Sequence, residues 1–288
     1  MSPPQHLVLA SPEPAALTAA IAALEAAAGA TTVAWIEPGE AVHLMVSAPV
    51  AAVAERLASV PVDWSGRAPR PCGLLVADMD STIIGCECLD ELADYAGVKE
   101  AVSAITERAM AGELDFEGAL RERVAMLRGL PLAALEACYR DRVRLNPGAG
   151  TFVRTMAARG GLCALVSGGF TAFTGKVADA AGFQLDRANR LLDDGAVLTG
   201  AVAEPILGRA AKLAALQELA AQSGIAADRT LAIGDGANDL DMIEAAGLGI
   251  AYRAKPVVAA RAAARIEHGT LETALFFQGI SRADFWRG

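Results

Sequence analysis

Three largely apolar runs in this chain each end in a short polar segment, and this repeated pattern limits the folds open to it. Residues 74–77 (LLVA), 162–166 (LCALV) and 230–233 (TLAI) lead into DMDST, SGG and GDGAND, respectively. Apolar runs of this length are typical of parallel strands buried on both faces. Because ligands of open α/β sheets bind at the carboxyl ends of such strands, the polar segments are predicted to meet at one sheet edge.

The first and last polar segments bring acidic groups together. In extended chain, residues two apart point to the same side, so Asp78 and Asp80 would face one small volume while Met79 faces away. Asp235 and Asp239 follow the third run and add further carboxyl oxygens. Oxygen donors of this kind suit a hard cation that keeps some of its water, which favours Mg²⁺ over zinc.

The middle segment and one distant lysine supply anion-binding groups. Ser167 offers a hydroxyl next to Gly168 and Gly169, whose backbone N–H groups can approach an anion closely at the start of a predicted helix. Lys212 would place positive charge opposite the metal. The alternatives are ordinary turn chemistry for the glycine pair and a solvated lysine on an Ala/Leu-rich helix. Taken together, the segments predict a magnesium-dependent phosphoryl-transfer site.

Phosphate monoester chemistry suggests roles for the two neighbouring aspartates. Asp78 is the candidate nucleophile that forms an aspartyl-phosphate, and Asp80 is the candidate general acid and later general base. Mg²⁺ would screen the repulsion between the nucleophile and the substrate. The alternative for Asp78 is a turn or helix-cap residue, and Asn238 and Asp239 could merely cap the helix that begins near residue 240.

These four segments resemble the motifs of the haloacid dehalogenase-like hydrolase superfamily. The similarity runs from about residue 74 to residue 250: residues 78–82 are similar to the first motif, Ser167 to the second, Lys212 to the third, and residues 234–239 to the fourth. The resemblance implies a Mg²⁺ ligand set of Asp78, the backbone of Asp80, and Asp235. It implies contacts to the phosphate or its surroundings from Ser167, Gly168, Lys212 and Asn238, with Asp239 in a supporting position.

The stretch after the first motif resembles that of superfamily members that dephosphorylate phosphoserine. By this resemblance Glu87 binds the substrate ammonium, and three residues contact the seryl moiety: Met110, Phe116 and Arg123. The implied activity is hydrolysis of O-phospho-L-serine to L-serine and phosphate, the last step of serine synthesis. Two rival interpretations are phosphoryl transfer to an acceptor alcohol and an amino-acid-sensing protein built on a former phosphatase core.

Arg123 also stands out from periodicity alone. Phe116, Leu120, Arg123 and Leu127 recur at helical spacing, which places a guanidinium on an apolar stripe. Such a charge needs a partner, and a substrate carboxylate would fit. The alternative partner is a nearby acid such as Glu117 or Glu122. For Glu87 the alternative is an acid favoured in the first turn of the following helix.

Composition narrows the class of partner. Thirty-four acidic residues against 25 basic ones give a net charge of −9, which argues against a nucleic-acid surface. Apolar stretches are too short to span a membrane, and the first Lys or Arg is Arg56, so a secretory signal is not expected. We therefore expect cytoplasmic residence, a small-molecule substrate, no nucleic acid and no membrane, with the five cysteines as reduced thiols.

The domain organisation follows from the order of patterns. The pattern of residues 1–66 predicts the order strand, helix, strand, strand, helix, strand. This is a ferredoxin-like (ACT-like) α+β order, which suits a regulatory or a homodimerisation domain. Residues 65–71 are predicted to be a linker. Residues 67–85 and 147–288 predict the hydrolase core, an α/β, Rossmann-like doubly wound parallel sheet, and residues 86–146 predict an inserted helical cap over the site. A hairpin is expected to turn at Asp194 and Gly195.

Overall fold

The first part of the chain forms a small antiparallel sheet with two helices. The computed structural model describes residues 4–110 and 113–288, with residues 109 and 110 by backbone only. The elements are β1 (Gln5–Ala10), α1 (Pro14–Ala28), β2 (Thr31–Glu37), β3 (Ala41–Val46), α2 (Val50–Leu57) and β4 (Asp63–Ser65). The strands pair antiparallel in the order β2-β3-β1-β4. Both helices pack against one face of this sheet through a shared apolar cluster that includes Leu17, Leu44 and Val53.

The rest of the chain alternates strands and helices after an initial strand and a group of helices. This larger unit begins with β5 (Leu74–Ala77), α3 (Cys88–Tyr95), α4 (Lys99–Met110), α5 (Phe116–Ala125), α6 (Leu132–Arg142) and α7 (Ala149–Ala158). The second part comprises β6 (Leu162–Phe170), α8 (Thr171–Ala181), β7 (Leu185–Asn189), β8 (Leu191–Asp193), β9 (Leu198–Val202) and α9 (Arg209–Gln222). The last part comprises β10 (Thr230–Gly234), α10 (Leu240–Ala245), β11 (Leu248–Tyr252), α11 (Pro256–Ala259), β12 (Ala264–Ile266) and α12 (Thr273–Phe276).

A parallel sheet forms the centre of this larger unit. Its strands follow the order β12-β11-β10-β5-β6-β7, and all five neighbouring pairs are parallel. Strand β5 is buried along its whole length, with helices from two different clusters on its two faces. This burial explains why its sequence is apolar without alternation. The predicted α/β fold with a mostly parallel central sheet is confirmed.

The two sheets are joined into one, which the sequence did not predict. Strand β4 pairs antiparallel with β12, so ten strands form a continuous sheet. Asp63 strengthens the junction because its carboxylate accepts hydrogen bonds from the backbone N–H groups of Glu267, His268 and Gly269 at 2.8, 2.9 and 2.8 Å. The predicted linker begins too early: Ser65 is part of β4, and the N–H of Gly66 donates to the Ala263 carbonyl.

Two smaller expectations also have clear outcomes. Strands β8 and β9 form a two-stranded antiparallel hairpin, and Gly195 takes the positive φ of 92° that the turn requires, which confirms the hairpin prediction. Over the described ranges, we find no helix with the length and apolar character needed to cross a bilayer.

Candidate active site

Asp78 stands directly after β5, with a backbone that holds its carboxylate in place. The Asp78 N–H donates to the Ile233 carbonyl of β10 at 3.0 Å, which extends the sheet register to this residue. One carboxylate oxygen accepts from the N–H of Met79 at 2.8 Å, and the side chain is buried. Residues 79–83 then turn sharply, and Ser81 takes a left-handed φ of 54°. Met79 is fully buried, as its predicted direction requires.

Asp80 lies beside Asp78 but is held by a different element. Its Oδ1 atom accepts a hydrogen bond from the N–H of Cys88 at 3.1 Å, at the start of α3. Its other oxygen lies close to the carboxyl end of β6, since a Cβ atom placed on Gly169 would be 2.8 Å from Oδ2 of Asp80. Burial first, and then the Glu87 and Asp78 carboxylates, raise the pKa of Asp80 well above its usual value. This environment favours a carboxyl group that keeps its proton.

Three carboxyl groups gather at the carboxyl ends of β5 and β10. Single oxygens of Asp78, Asp235 and Asp239 all lie within 4.8 Å of one another. The hydroxyl of Thr82 donates to Oδ1 of Asp235 at 3.2 Å. Burial, and then the Asp78 and Glu87 carboxylates, raise the pKa of Asp235 to about 6. This excess of negative charge, presented by oxygen atoms, fits a hard divalent cation.

Lys212 joins two of these carboxylates. Its Nζ atom lies 2.8 Å from Oδ2 of Asp78 and 2.6 Å from Oδ1 of Asp239. Burial alone would lower the pKa of Lys212, but the two carboxylates raise it, so the ammonium stays charged. Asp239 also accepts from the N–H of Gly236 at 3.0 Å. The alternatives of a solvated lysine and of a mere helix cap at Asp239 are therefore wrong.

The irregular carboxyl end of β6 provides backbone groups at the same place. The Ser167 side chain is buried, and its hydroxyl accepts from the Gly169 N–H at 2.9 Å. Asn189 fixes this segment from the neighbouring strand β7, because its amide donates to the Gly168 carbonyl at 2.9 Å. Ser167, Gly168, Gly169 and Asn238 all line one cavity of about 440 Å³ with Asp78 and Asp80.

The opposite wall of this cavity comes from the helices between β5 and β6. Glu87 lines the cavity and accepts a hydrogen bond from the Ser81 hydroxyl at 2.6 Å. Although Glu87 directly precedes α3, its side chain makes no capping hydrogen bond, so the helix-terminus alternative does not describe its contacts. The carboxylate instead faces the loop that follows Asp78.

Arg123 lines the same wall from α5. Its Nε donates to the Ala119 carbonyl at 3.2 Å, and burial lowers the pKa of its guanidinium. The alternative partners from the sequence are engaged elsewhere, since Glu117 pairs with Arg121 at 2.9 Å and Glu122 pairs with Arg108 at 2.9 Å. Arg123 therefore presents its charge to the cavity.

Apolar residues complete the wall. Phe116 begins α5 behind the Asp115 side chain, which accepts from the Gly118 N–H at 2.7 Å and caps the helix. Phe116 is 40% exposed, and its ring lies against Gly168, where an added Cβ would be 3.4 Å away. Leu120 lies beside it in the cavity wall. The side chain of Met110, the remaining predicted contact, lies outside the described part of the structure.

Lys255 is a lining residue that sequence reasoning missed. It follows β11, its backbone N–H donates to the Asp235 carbonyl at 3.0 Å, and its charge acts to lower the pKa of Asp235. A signal was present in the sequence: β11 is a fourth apolar run, residues 248–252, and it ends in a basic segment.

Comparison with known proteins defines the class. The family model described as haloacid dehalogenase-like hydrolase matches residues 75–244. This range contains all four motif segments described above. It excludes the N-terminal unit and the chain after α10. The chain belongs to the haloacid dehalogenase-like hydrolase family, as its sequence motifs predict.

Individual relatives narrow the comparison further. Phosphoserine phosphatase SerB2 of Mycobacterium tuberculosis is 42% identical over 231 residues, which are 80% of this chain and 56% of that protein. The chain thus matches a little over half of that relative's length. A crystal structure of a HAD family hydrolase from Salmonella enterica serovar Typhi has a TM-score of 0.83 at 30% identity and covers 95% of this chain and 98% of that one. A structure titled as a phospho-aspartyl intermediate analogue of phosphoserine phosphatase has a TM-score of 0.66 at 39% identity, with 72% and 98% coverage.

Proposed function

We propose that this protein is a phosphoserine phosphatase that hydrolyses O-phospho-L-serine to L-serine and phosphate, as the final step of serine biosynthesis. The observation that carries the proposal is the pairing of Glu87 and Arg123 on one wall of a cavity whose floor holds Asp78. A zwitterionic amino acid presents one ammonium and one carboxylate, and these two side chains offer the complementary charges. The resemblance to phosphoserine phosphatases supports the same substrate.

The first chemical step belongs to Asp78 and Asp80. A carboxylate oxygen of Asp78 forms a bond to phosphorus while the bond from phosphorus to the serine oxygen breaks. Asp80 donates its proton to that leaving oxygen, and L-serine departs. Lys212 holds the nucleophile in place at 2.8 Å, and the backbone N–H of Gly168 faces the phosphate oxygens in this proposal.

The second step returns the enzyme to its starting state. The carboxylate of Asp80 accepts a proton from a water molecule whose oxygen attacks phosphorus, and the bond from phosphorus to Asp78 breaks. Phosphate leaves and Asp80 is protonated again. The raised pKa of Asp80 suits both halves of this cycle, because the group must carry a proton at the start and at the end.

Mg²⁺ is the proposed cofactor. Asp78, Asp235 and the backbone of Asp80 would hold it, and when bound it would screen the negative charges of the nucleophile and the phosphate. Asp239 lies in the same acidic group but is neutralised by Lys212, so we assign it a supporting role.

The domain division is part of the proposal. Residues 1–66 form a ferredoxin-like, ACT-like domain, residues 67–85 and 147–288 the hydrolase core, and residues 86–146 a helical cap; the strand order β2-β3-β1-β4 supports the first assignment.

Val33 and Trp35 on the edge strand β2 are 54% and 46% exposed, which supports a homodimer through this domain. Light scattering on Trp35→Lys would show a monomer if this edge forms the interface. The odd, scattered cysteines support cytoplasmic residence.

The test is phosphate release from L-phosphoserine and from two analogues, each with Mg²⁺ and then with the metal chelated. O-phosphoethanolamine lacks the carboxylate, and 3-(phosphonooxy)propanoate lacks the ammonium. We expect metal-dependent release, with kcat/KM for each analogue roughly tenfold or more below that for phosphoserine, since each leaves one charged side chain unpaired. Equal rates for all three would reject the substrate, and no release at all would favour a binding scaffold.

A further inference from the structure

A second cavity, of about 490 Å³, lies where the N-terminal unit meets the hydrolase core. Helix α2 forms one wall, Trp64 to Arg67 another, and residues 260–265 the third. Its described lining residues are all different from those of the active-site cavity. Cavities of roughly 300–1,000 Å³ are the usual size of small-molecule sites.

Arg265 lines this cavity and carries a buried N–H group without a partner among the described residues. The residue lies in β12 directly opposite Trp64 in β4, and its guanidinium carbon is 5.2 Å from the centre of the Trp64 ring. Its Nε atom is buried and has no hydrogen-bond partner among the described residues. Buried N–H groups of folded proteins normally have a partner, so this one indicates a missing acceptor.

The other lining residues indicate the chemistry of the ligand that would carry this acceptor. Arg67 adds a second guanidinium, while Glu55 is the one acidic side chain among the described lining residues. The remaining walls are mostly small and apolar: Val50, Ala51, Ala54, Ala58, Ala260, Ala262 and Ala263. Together with the Trp64 ring, such walls favour a short hydrocarbon body over a hydrated inorganic ion.

We propose that this cavity is a binding site for a small organic carboxylate. The carboxylate accepts hydrogen bonds from Arg265 and Arg67, and the apolar part packs against Trp64 and the alanine side chains of α2. Because β4 and β12 pair only at this junction, the ligand contacts both units of the protein at once. The site is independent of the proposed phosphatase reaction.

Calorimetric titration of the full chain with defined probes tests the proposal. The probes are acetate, butyrate and benzoate, their neutral counterparts acetamide, butyramide and benzamide, and inorganic phosphate. We expect saturable binding of the carboxylates that tightens as the apolar body grows, and amides that bind roughly tenfold or more weakly because they lack the charge-assisted bond. Phosphate that binds as tightly as butyrate would contradict an organic ligand.

Variants locate the binding. Arg265→Gln and Arg67→Gln should each weaken benzoate roughly tenfold or more, and Ala58→Leu should weaken it by filling the cavity; Arg67 and Ala58 are exposed, so these two variants do not depend on refolding of the junction. Arg56→Gln, on α2 but outside the cavity, and Arg123→Ala, in the active site, should bind like wild type. Unchanged binding in Arg265→Gln and Arg67→Gln, or loss in Arg123→Ala, would overturn the assignment.

Discussion

The ammonium of Lys212 lies 2.8 Å from a carboxylate oxygen of Asp78 and is itself fully buried. The lysine comes from α9 and the aspartate from the end of β5, so this one contact joins two distant parts of the chain. Asp239, 2.6 Å away on the other side, completes the pairing. The side chain of Asp78, the proposed nucleophile, is therefore paired with a cation that solvent does not reach.

Removing this lysine is expected to cost both stability and activity. Lys212→Met leaves two buried carboxylates without their cation, and breaking a buried pair in this way typically costs about 3–5 kcal/mol of unfolding free energy. Lys212→Met combined with Asp239→Asn should recover part of the loss, because one negative charge is gone. Equilibrium urea unfolding measures both effects. A single variant as stable as wild type would show that the two carboxylates do not depend on Lys212.

Arg123 is expected to act on the substrate carboxylate alone. Arg123→Ala should lower kcat/KM for phosphoserine by roughly 10- to 100-fold, from the loss of charge-assisted hydrogen bonds, and should change kcat/KM for O-phosphoethanolamine little. Arg121→Ala is the matched control on the same helix, since Arg121 pairs with Glu117 and Glu204 outside the cavity. Equal losses on both substrates would show that Arg123 does not bind the substrate carboxylate.

Gly169 is expected to be required for the position of Asp80. An alanine methyl there would lie 2.8 Å from Oδ2 of Asp80 and 3.1 Å from the Ser167 hydroxyl, so Gly169→Ala should lower kcat at least tenfold. Gly175→Ala is the control, because an added Cβ meets nothing within 4 Å and alanine stabilises a helix by up to about 1 kcal/mol. Steady-state kinetics and thermal unfolding on both variants decide the matter; wild-type kcat in Gly169→Ala would contradict the proposed place of Asp80.

The N-terminal sheet is expected to lose stability in mild acid. Burial, and then the stacked His6 ring, lower the pKa of His43 below its ordinary 6.5. The unfolded chain then binds a proton more readily than the folded one, so the stabilising contribution present above pH 6.5 falls as the pH drops below it. Because His43 is partly exposed, the effect should be small.

Urea midpoints at pH 7.5 and 5.5 measure this effect. The midpoint of wild type should fall further between the two pH values than that of His43→Gln. His268→Gln is the comparison variant, because this exposed histidine follows β12 and lies outside the N-terminal sheet, and it should follow wild type. Parallel behaviour of wild type and His43→Gln would show that His43 is not the group responsible.

Much of the architecture follows from local patterns in the sequence. The runs before Asp78, Ser167 and Asp235 are apolar because their strands are buried on both faces, and strand ends of a parallel sheet meet at one edge. The position of Arg123 follows from helical spacing, since its neighbours Leu120 and Leu127 are buried as the stripe requires. These features depend on periodicity, which a single sequence displays.

Other features depend on tertiary pairing that leaves little trace in the sequence. Strands β4 and β12 are each three residues long and lie about 200 residues apart, too short for a recognisable alternation, so the continuous sheet could not be foreseen. The contacts of Lys212 with both Asp78 and Asp239 depend on how α9 packs on the sheet. Lys255 was missed because a basic residue after a strand is ordinary on its own.

The covalent step on Asp78 is the central claim, and trapping it is the most direct measurement. The enzyme with Mg²⁺ is mixed with ³²P-labelled L-phosphoserine, quenched in acid within milliseconds, digested and analysed for labelled peptides. We predict label on the peptide that contains Asp78, and none, together with no turnover, in a folded Asp78→Asn variant. Steady phosphate release without any labelled peptide, or full activity in Asp78→Asn, would contradict the mechanism.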